Sequence, residues 1–411
     1  MFLEIAQGDT KMASSQTEII LTSSPDRPIT AHDPVSGAVL AQFSGTSIPR
    51  GGLTVAGNAL IAASHVSPTT AGSVRLYNWW SSAATHCVPT PEPVGPLVAT
   101  PDGSHLFAGG LSGRIHVFSL PSGDLRCSFF AHGRAVSCLV VNGDGSLLLS
   151  GGDDGTVAVF PILSLLDVAC MQDNNEDSCN HLELYQFKAH NSPVTCIASG
   201  TGGCNPAVVS SSLDGTCKLW SIANGSKLRT ITFPCAMWCV TMDSTSYNLY
   251  AGGSDGKLYV VPLRARGGRM KEKGGHEMVA WGAEQGGAVT SLAMLDGDRK
   301  AVSASEDGIV RIWDVKNGLI DQAFASGGGG DLVVARWVGR MIRGGESGNG
   351  AGFSEREMGR EVSEMMKMDK WLHATREDRR RAIEMLETTL DTYRRMLLLL
   401  IREAEEAKEI E

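Results

Sequence analysis

Short runs in which apolar and polar residues alternate, separated by Gly, Asn, Asp and Pro, fill most of the first 338 residues of this chain. The clearest group contains four such runs: VTCIA (194–198), AVVSSS (207–212), TCKLWSI (216–222) and SKLRTITF (226–233). Alternation and an abundance of β-branched residues are typical of strands with one buried face, and the separating residues favour turns. The pattern therefore predicts four consecutive strands in this part of the chain.

This group is one copy of a repeated unit. Its phrase SSSLDGTCKLW (210–220) returns as SGGDDGTVAVF (150–160), AGGSDGKLYVV (251–261) and SASEDGIVRIWD (303–314). Counting the weaker copies, one turn residue marks each unit: Asp26, Ala71, Ser112, Asp154, Asp214, Asp255 and Asp307. The steps are 45, 41, 42, 60, 41 and 52 residues, and the two long steps contain insertions at 161–181 and 264–276. Four strands in each unit of about 41 residues predict an all-β, seven-bladed β-propeller.

The first unit is short of strands, because little chain precedes its run at 17–23. DLVVARWV (331–338), downstream of the last copy, has the composition of the missing innermost strand. We expect this segment to close the ring, and FLEIA (2–6) is the competing candidate.

Residues at fixed places in the unit resemble the WD40 family. Trp220 stands six residues after Asp214, and Trp313 stands six after Asp307 and is followed by Asp314. Other copies have Phe160, Phe118 or Tyr77 at this place, whereas Val261 and His32 depart from the pattern. The resemblance implies the WD40 propeller fold.

The resemblance also implies a buried hydrogen-bond network of His190, Ser210, Asp214 and Trp220, in which the histidine donates towards the indole. The same spacing recurs as Ser150 with Asp154 and Ser303 with Asp307. A Ser, a His and an Asp together also suggest a hydrolase. A structural role is favoured because the set recurs with the repeat, and because no G-x-S-x-G elbow precedes these serines. We therefore expect no enzyme and no cofactor.

Beyond the propeller, residues 339–353 form a Gly-rich linker, and the composition of 354–411 is helix-forming. Apolar residues there step by three and four: Ile383, Leu386, Leu390, Tyr393, Leu397 and Leu400. This is the seam of a coiled coil and predicts a long C-terminal α-helix that pairs in a homodimer. A single amphipathic helix folded back on the propeller is the alternative.

The composition limits the other functions. With 20% charged residues and a net charge of −9, the chain is not suited to coat nucleic acid, although a local patch could touch RNA. The basic residues of the second insertion are candidates for contact with rRNA phosphates: Arg264, Arg266, Arg269, Lys271 and Lys273. REDRRR (376–381) is either a solvated helix face or a second such site or nuclear address.

The compartment follows from the cysteines and the apolar runs. Ten cysteines without zinc-ligand spacing are expected to be reduced, which favours the cytosol or nucleus. Glu4 interrupts the N-terminal apolar stretch, and MLLLLI (396–401) is too short to span a bilayer, so we expect no membrane segment.

The ring of divergent repeats, the Gly-rich hinge and the heptad helix together resemble one branch of the WD40 family. This is the WD-repeat subunit of the Rix-type complex, which includes WD repeat-containing protein 18 and the plant Root Initiation Defective proteins. EIILTSS (18–24) and HDPVSGAVLAQFSG (32–45) look most like that branch. The resemblance implies a non-enzymatic nuclear and nucleolar scaffold. It would bind a long helical-repeat partner and other subunits of a pre-60S complex, in which pre-rRNA spacers are removed. A substrate receptor of a ubiquitin ligase or a coat-type trafficking adaptor remains the alternative.

Overall fold

The computed structural model describes residues 17–44, 47–57, 60–66, 72–79, 81–170, 183–200, 207–222, 224–263, 278–282, 286–326 and 330–337. They form seven four-stranded antiparallel sheets, the blades of a propeller. The innermost strand of each blade contacts the innermost strands of both neighbours, and these contacts run round a closed ring. The predicted all-β, seven-bladed propeller is confirmed.

The strands follow the chain in blade order. The first seven are β1 (Thr17–Ser24), β2 (Arg27–His32), β3 (Val39–Phe43), β4 (Leu53–Ala56), β5 (Leu60–His65), β6 (Ser73–Asn78) and β7 (His86–Pro89). The third and fourth blades contain β8 (Val94–Ala99), β9 (His105–Gly110), β10 (Arg114–Ser119), β11 (Asp124–Phe130), β12 (Val136–Val141), β13 (Leu147–Gly152), β14 (Thr156–Pro161) and β15 (Tyr185–Lys188). The remaining strands are β16 (Val194–Ser199), β17 (Ala207–Ser212), β18 (Thr216–Ser221), β19 (Lys227–Thr232), β20 (Met237–Met242), β21 (Asn248–Gly253), β22 (Leu258–Pro262), β23 (Val279–Trp281), β24 (Val289–Leu295), β25 (Lys300–Ser305), β26 (Ile309–Asp314), β27 (Leu319–Ala325) and β28 (Leu332–Trp337).

The first blade is completed by a strand that follows the seventh blade in the sequence. Its strand order is β28-β1-β2-β3, and β28 pairs antiparallel with β1 from Thr17 opposite Trp337 to Thr22 opposite Leu332. β28 also contacts β24 and β4, the innermost strands of the two neighbouring blades. The downstream segment therefore closes the ring, as its composition predicts.

The hydrophobic core lies between neighbouring blades. In one such layer, Phe107 and Phe129 of the third blade pack with Leu148 and Phe160 of the fourth, and all four side chains are buried. The rings of Phe129 and Phe160 meet edge to face at 5.0 Å between centroids. Each blade thus buries both faces against its neighbours, which explains why its strands carry apolar residues on both sides.

One element was not predicted from the sequence. The first insertion begins with helix α1 (Ile162–Cys170), which directly follows β14. Ile162 and Leu165 lie three residues apart on one face of the helix and are buried in the layer between the third and fourth blades. The described part of the insertion therefore adds to the core.

Several predicted features lie outside the described residues: FLEIA, the marker Ala71, the basic insertion, the linker 339–353 and the tail 354–411. Within the described part of the chain, no helix is long and apolar enough to cross a bilayer.

Candidate functional site

The fifth blade brings together the four residues of the predicted network. His190 Nε2 lies 2.8 Å from Ser210 Oγ, and the indole Nε1–H of Trp220 donates to the same oxygen at 3.0 Å. On the other side of the ring, His190 Nδ1 lies 3.0 Å from Asp214 Oδ2. Thr216, not foreseen from the sequence, donates from its hydroxyl to Asp214 Oδ1 at 2.6 Å.

The charge states of the network set its direction of donation. An indole N–H only donates, so Ser210 Oγ accepts from Trp220. An ionised Asp214 only accepts, so a neutral His190 carries its proton on Nδ1 and donates it to Asp214. His190 Nε2 then accepts the hydroxyl hydrogen of Ser210, and every polar atom of the network has a partner.

The ionisation states agree with this direction. Burial lowers the pKa of His190, and the nearby carboxylate of Asp214 opposes that effect without reversing it. Burial alone would raise the pKa of Asp214, but the hydrogen bonds from Thr216 and His190 outweigh it and lower the pKa. A neutral imidazole beside an ionised carboxylate is the state that the network requires.

This network cannot serve as a nucleophilic site. The side chain of Ser210 is fully buried, and that of His190 is 1% exposed. A substrate carbonyl has no route to the serine oxygen, whose hydrogen-bonding capacity is already used within the blade. The arrangement fixes β17, β18 and the turn between them to the loop that enters the blade.

The fourth blade repeats the arrangement with different residues. His132 Nε2 lies 2.8 Å from Ser150 Oγ, and His132 Nδ1 lies 2.7 Å from the hydroxyl of Thr156. That hydroxyl donates to Asp154 Oδ1 at 2.6 Å. Burial lowers the pKa of His132 to about 4, although Asp154 acts in the opposite direction. Phe160 takes the place of the tryptophan, so here Ser150 has no indole partner.

The Asp-Gly turn of this blade allows the next loop to approach closely. Gly155 has a φ of +75°, and a Cβ there would lie 2.4 Å from the carbonyl oxygen of His190. The backbone N–H of His190 in turn donates to Gly155 O at 2.9 Å. Glycine is needed both for the left-handed backbone and for this contact.

In the seventh blade, Trp313 donates to Ser303 Oγ at 2.8 Å, but no histidine among the described residues completes the set. Arg311 Nη2 instead pairs with Asp307 at 2.7 Å, and Arg311 Nη1 donates to Ser305 Oγ at 2.6 Å. The spacing of Ser303 and Asp307 is thus retained, but the polar partner is an arginine from the neighbouring strand.

One face of the ring gathers the side chains best placed to meet a partner. In each complete blade, the turn between the second and third strands lies beside the start of the innermost strand, as the pairing of Met237 with Gly253 shows. We call this the entry face. The residue that precedes each turn marker donates its backbone N–H to the carbonyl just before the innermost strand: Leu111 to Pro93, Asp153 to Ala135, Leu213 to Pro193, Ser254 to Ala236 and Glu306 to Ala288. These five equivalent residues form the rim of the channel.

Hydroxyl groups at the second position of the innermost strands connect neighbouring blades. Ser137 donates to Val194 O at 2.5 Å, and Thr195 donates to Met237 O at 2.8 Å. Thr290 continues the series, donating to Gly330 O at 3.1 Å.

The sixth blade departs from this series, because Trp238 stands where the fourth, fifth and seventh blades have a hydroxyl. Arg50, from the loop before β4, reaches across the channel to it. Its Nη2 donates to Trp238 O at 2.5 Å and to Thr290 O at 3.4 Å. The guanidinium carbon lies 4.7 Å from the centroid of the Trp238 ring, a cation–π distance.

Sequence reasoning did not single out Arg50 or Trp238. The signal available was that Trp238 replaces the Ser or Thr of the aligned copies. Nothing in the local sequence of Arg50 indicates its partner, which lies 188 residues away. The predicted helix-pairing and RNA-contact residues lie outside the described residues.

A family model matches three copies of the repeated unit found in the sequence. The family model of the WD domain, G-beta repeat, matches residues 123–160, 182–221 and 278–314. Each match begins at the outer strand of one blade and ends at the third strand of the next. The sequence repeat is therefore staggered against the blade and connects each blade to its successor.

Three relatives illustrate what the chain is similar to. Protein ROOT INITIATION DEFECTIVE 3 of Arabidopsis thaliana is 34% identical over 300 residues, which cover 73% of this chain and 66% of the relative. WD repeat-containing protein 18 of Homo sapiens is 29% identical over 229 residues, covering 55% of this chain and 51% of the relative. Pre-rRNA-processing protein IPI3 of Yarrowia lipolytica is 27% identical over 280 residues, covering 66% of this chain and 62% of the relative.

The matches span half to two thirds of the length of these relatives. None of their names denotes an enzyme, and the WD40 propeller is typically a fold for protein interaction. With the repeat matches and the seven closed blades, the chain belongs to the WD40-repeat β-propeller proteins, and its relatives there include ROOT INITIATION DEFECTIVE 3, WD repeat-containing protein 18 and IPI3.

Proposed function

We propose that the chain is a non-enzymatic scaffold subunit of a nuclear complex that matures the large ribosomal subunit and processes pre-rRNA spacers. The observation that carries this proposal is the similarity to IPI3 over 66% of the chain, since that relative is named as a pre-rRNA-processing protein. A second protein of the same description, crb3/ipi3 of Schizosaccharomyces pombe, is 24% identical over 236 residues. The partners would be protein subunits of a pre-60S complex, among them a long helical-repeat protein.

The chemistry of the described residues supports a scaffold. The serine and histidine of the fifth blade are buried and fully hydrogen-bonded, so they hold the blade together instead of reacting. The entry face, by contrast, offers half-buried and exposed side chains around the channel. In this proposal residues 1–338 form the platform, 339–353 the linker and 354–411 the helical tail.

The tail would supply a second activity, self-association. An isolated helix cannot bury the seam from Ile383 to Leu400 by itself, so a second copy of the helix is the simplest partner. Two copies of the propeller in one assembly raise the effective concentration of each partner site. The basic insertion, from Arg264 to Lys273, would add a local contact with rRNA phosphates.

The test is depletion of the protein in its source cells combined with affinity purification of a tagged copy. We expect spacer-containing pre-rRNA precursors to accumulate, and proteins of the large pre-ribosomal particle to co-purify from nuclei. Unchanged precursor levels would contradict the proposal. Co-purification of ubiquitin-ligase or trafficking-coat subunits would favour the adaptor alternative.

A further inference from the structure

Arg50 is held firmly on the entry face but has no acidic partner there. Its guanidinium rests on Trp238, and Nη2 donates to the carbonyls of Trp238 and Thr290. In the described part of the chain, no carboxylate lies within 4.0 Å of it, and no hydrogen bond uses Nε or Nη1. Three of the five guanidinium N–H groups therefore have no hydrogen-bond partner among the described residues.

The nearest candidate within the chain, Asp331, does not fill this role. Its carboxyl is buried near the backbone of Gly51, Gly52 and Leu53, and Oδ2 has no hydrogen-bond partner among the described residues. Burial raises the pKa of Asp331, although the charge of Arg50 opposes this. Asp331 makes no ion pair with Arg50 within 4.0 Å, so it does not occupy the guanidinium.

The open side of a fixed guanidinium matches a carboxylate. Nε and Nη1 form the fork that binds both oxygens of one carboxylate, and holding it in place beforehand reduces the entropy lost on binding. Arg and Trp are also the residues that contribute most to binding at the centres of protein interfaces.

The charges of the rim residues favour a protein over a nucleic acid as the ligand. Leu111 and Leu213 are 59% and 38% exposed and offer apolar contacts, whereas Asp153 and Glu306 place carboxylates on two of the other three rim positions. A phosphate backbone carries a charge at every nucleotide and would bring further negative charge beside those two side chains. An apolar peptide with a single carboxylate avoids this repulsion.

We propose that the channel mouth on the entry face is the docking site for an apolar segment of a partner protein, whose one Asp or Glu carboxylate pairs with Arg50. Leu111 and Leu213 receive the apolar residues that flank the carboxylate. The inference rests on the proposed function only in that the propeller holds protein partners.

The site can be identified in the full chain by replacing Leu213 with the photoreactive residue benzoylphenylalanine and irradiating cells. We expect a cross-linked partner peptide with one Asp or Glu among apolar residues. Cross-links only to RNA, only to peptides without a carboxylate, or to nothing would overturn the proposal.

The role of Arg50 is then measured with a synthetic peptide of the cross-linked sequence, by fluorescence anisotropy against the full chain. Arg50→Gln should weaken binding by about 10- to 100-fold, the range for a charge-assisted hydrogen bond. Changing the peptide carboxylate to its amide should weaken binding to the wild type equally, and should have no further effect on Arg50→Gln. Equal affinity of the wild type and Arg50→Gln would contradict the proposal.

Two further variants complete the test. Arg134→Gln removes an exposed arginine from the corresponding loop before β12 and should change the affinity less than about twofold. Arg50→Lys keeps the charge but loses the fork, and it replaces Arg50→Gln if the latter lowers the melting temperature. The docking site and the proposed function are tested separately by measuring both peptide binding and pre-rRNA processing. A loss of peptide binding with normal pre-rRNA processing, or normal binding with defective processing, shows that the two properties are independent.

Discussion

At the scale of single residues, the buried polar networks show how the repeat signature stabilises a blade. Each group in the chain from Trp220 through Ser210 and His190 to Asp214 either donates or accepts, and the donation runs in one direction. Removing one member would leave its neighbour buried without a partner, which costs more than the hydrogen bond contributes.

Trp220→Ala should therefore lower the free energy of unfolding by roughly 3–5 kcal/mol, the range for emptying a large aromatic site in a core. Trp220 is 7% exposed and packs against Phe187 with ring centroids 4.3 Å apart. Trp220→Phe keeps much of this packing and loses the bond to Ser210, so it should cost about 1 kcal/mol. Chemical denaturation measures both, and a change near zero for Trp220→Ala would contradict the packing role.

His132 predicts a dependence of stability on pH. Its pKa is lowered by burial to about 4 in the folded chain, against an ordinary value of 6.5. The unfolded chain therefore binds more protons between these values, and stability is lost as the pH falls from 6.5 towards 4. The shift corresponds to roughly 3 kcal/mol.

Denaturation at pH 7 and pH 4.5 tests this sign. His132→Asn removes the titrating group, so the difference in stability between the two pH values should shrink. His190 remains in that variant and titrates in the same direction, so some dependence on pH should persist. A His132→Asn variant with the full dependence would show that His132 is not the group responsible.

At the scale of elements, the closing strand β28 is the least local part of the propeller. It pairs with β1, where Trp337 lies opposite Thr17, and brings Leu332 and Ala335 into the core. Strands from before the second blade and after the seventh are thus needed for the first blade.

Truncation after Ser326 should lower the melting temperature markedly, because the ring loses its closing strand and the buried side chains of β28. Each fully buried aliphatic side chain contributes roughly 1.5–3 kcal/mol. Truncation after Gly344 retains β28 and serves as the matched control. Thermal unfolding of the two truncated chains should therefore differ, and equal melting temperatures would mean that β28 does not close the ring.

The sequence anticipated most elements but not all. The strands of the fifth blade agree with their predicted runs to within one residue, because a Gly or Asp turn limits each of them. Helix α1 was missed because its short apolar run, ILSLL, reads equally well as a strand or as part of a loop. The burial of Ile162 and Leu165 against the core stabilises this segment as a helix.

At the scale of the whole molecule, a platform and a pairing helix together form the proposed scaffold. Changing Leu390 and Leu397 to Asp would place charge in the predicted seam and should produce a monomer while the propeller stays folded. Light scattering should give half the wild-type mass, and circular dichroism should show an unchanged propeller. Leu399→Asp, next to the seam, is the matched control. A dimeric mass for the double variant would contradict pairing through this helix.

What the sequence determined by itself is the repeated unit: the number of blades, the four strands of each and the turn between the second and third. These features depend on contacts between near neighbours, such as that of Asp154 with Thr156 two residues later. For the closure of the ring, the sequence offered only the strand-like composition of residues 331–338. The tertiary structure alone decided the direction of the network around His190 and the meeting of Arg50 with Trp238. His190 and Ser210, 20 positions apart, become neighbours when the fifth blade folds. Arg50 and Trp238, 188 positions apart, become neighbours only when the blades are arranged around a common channel.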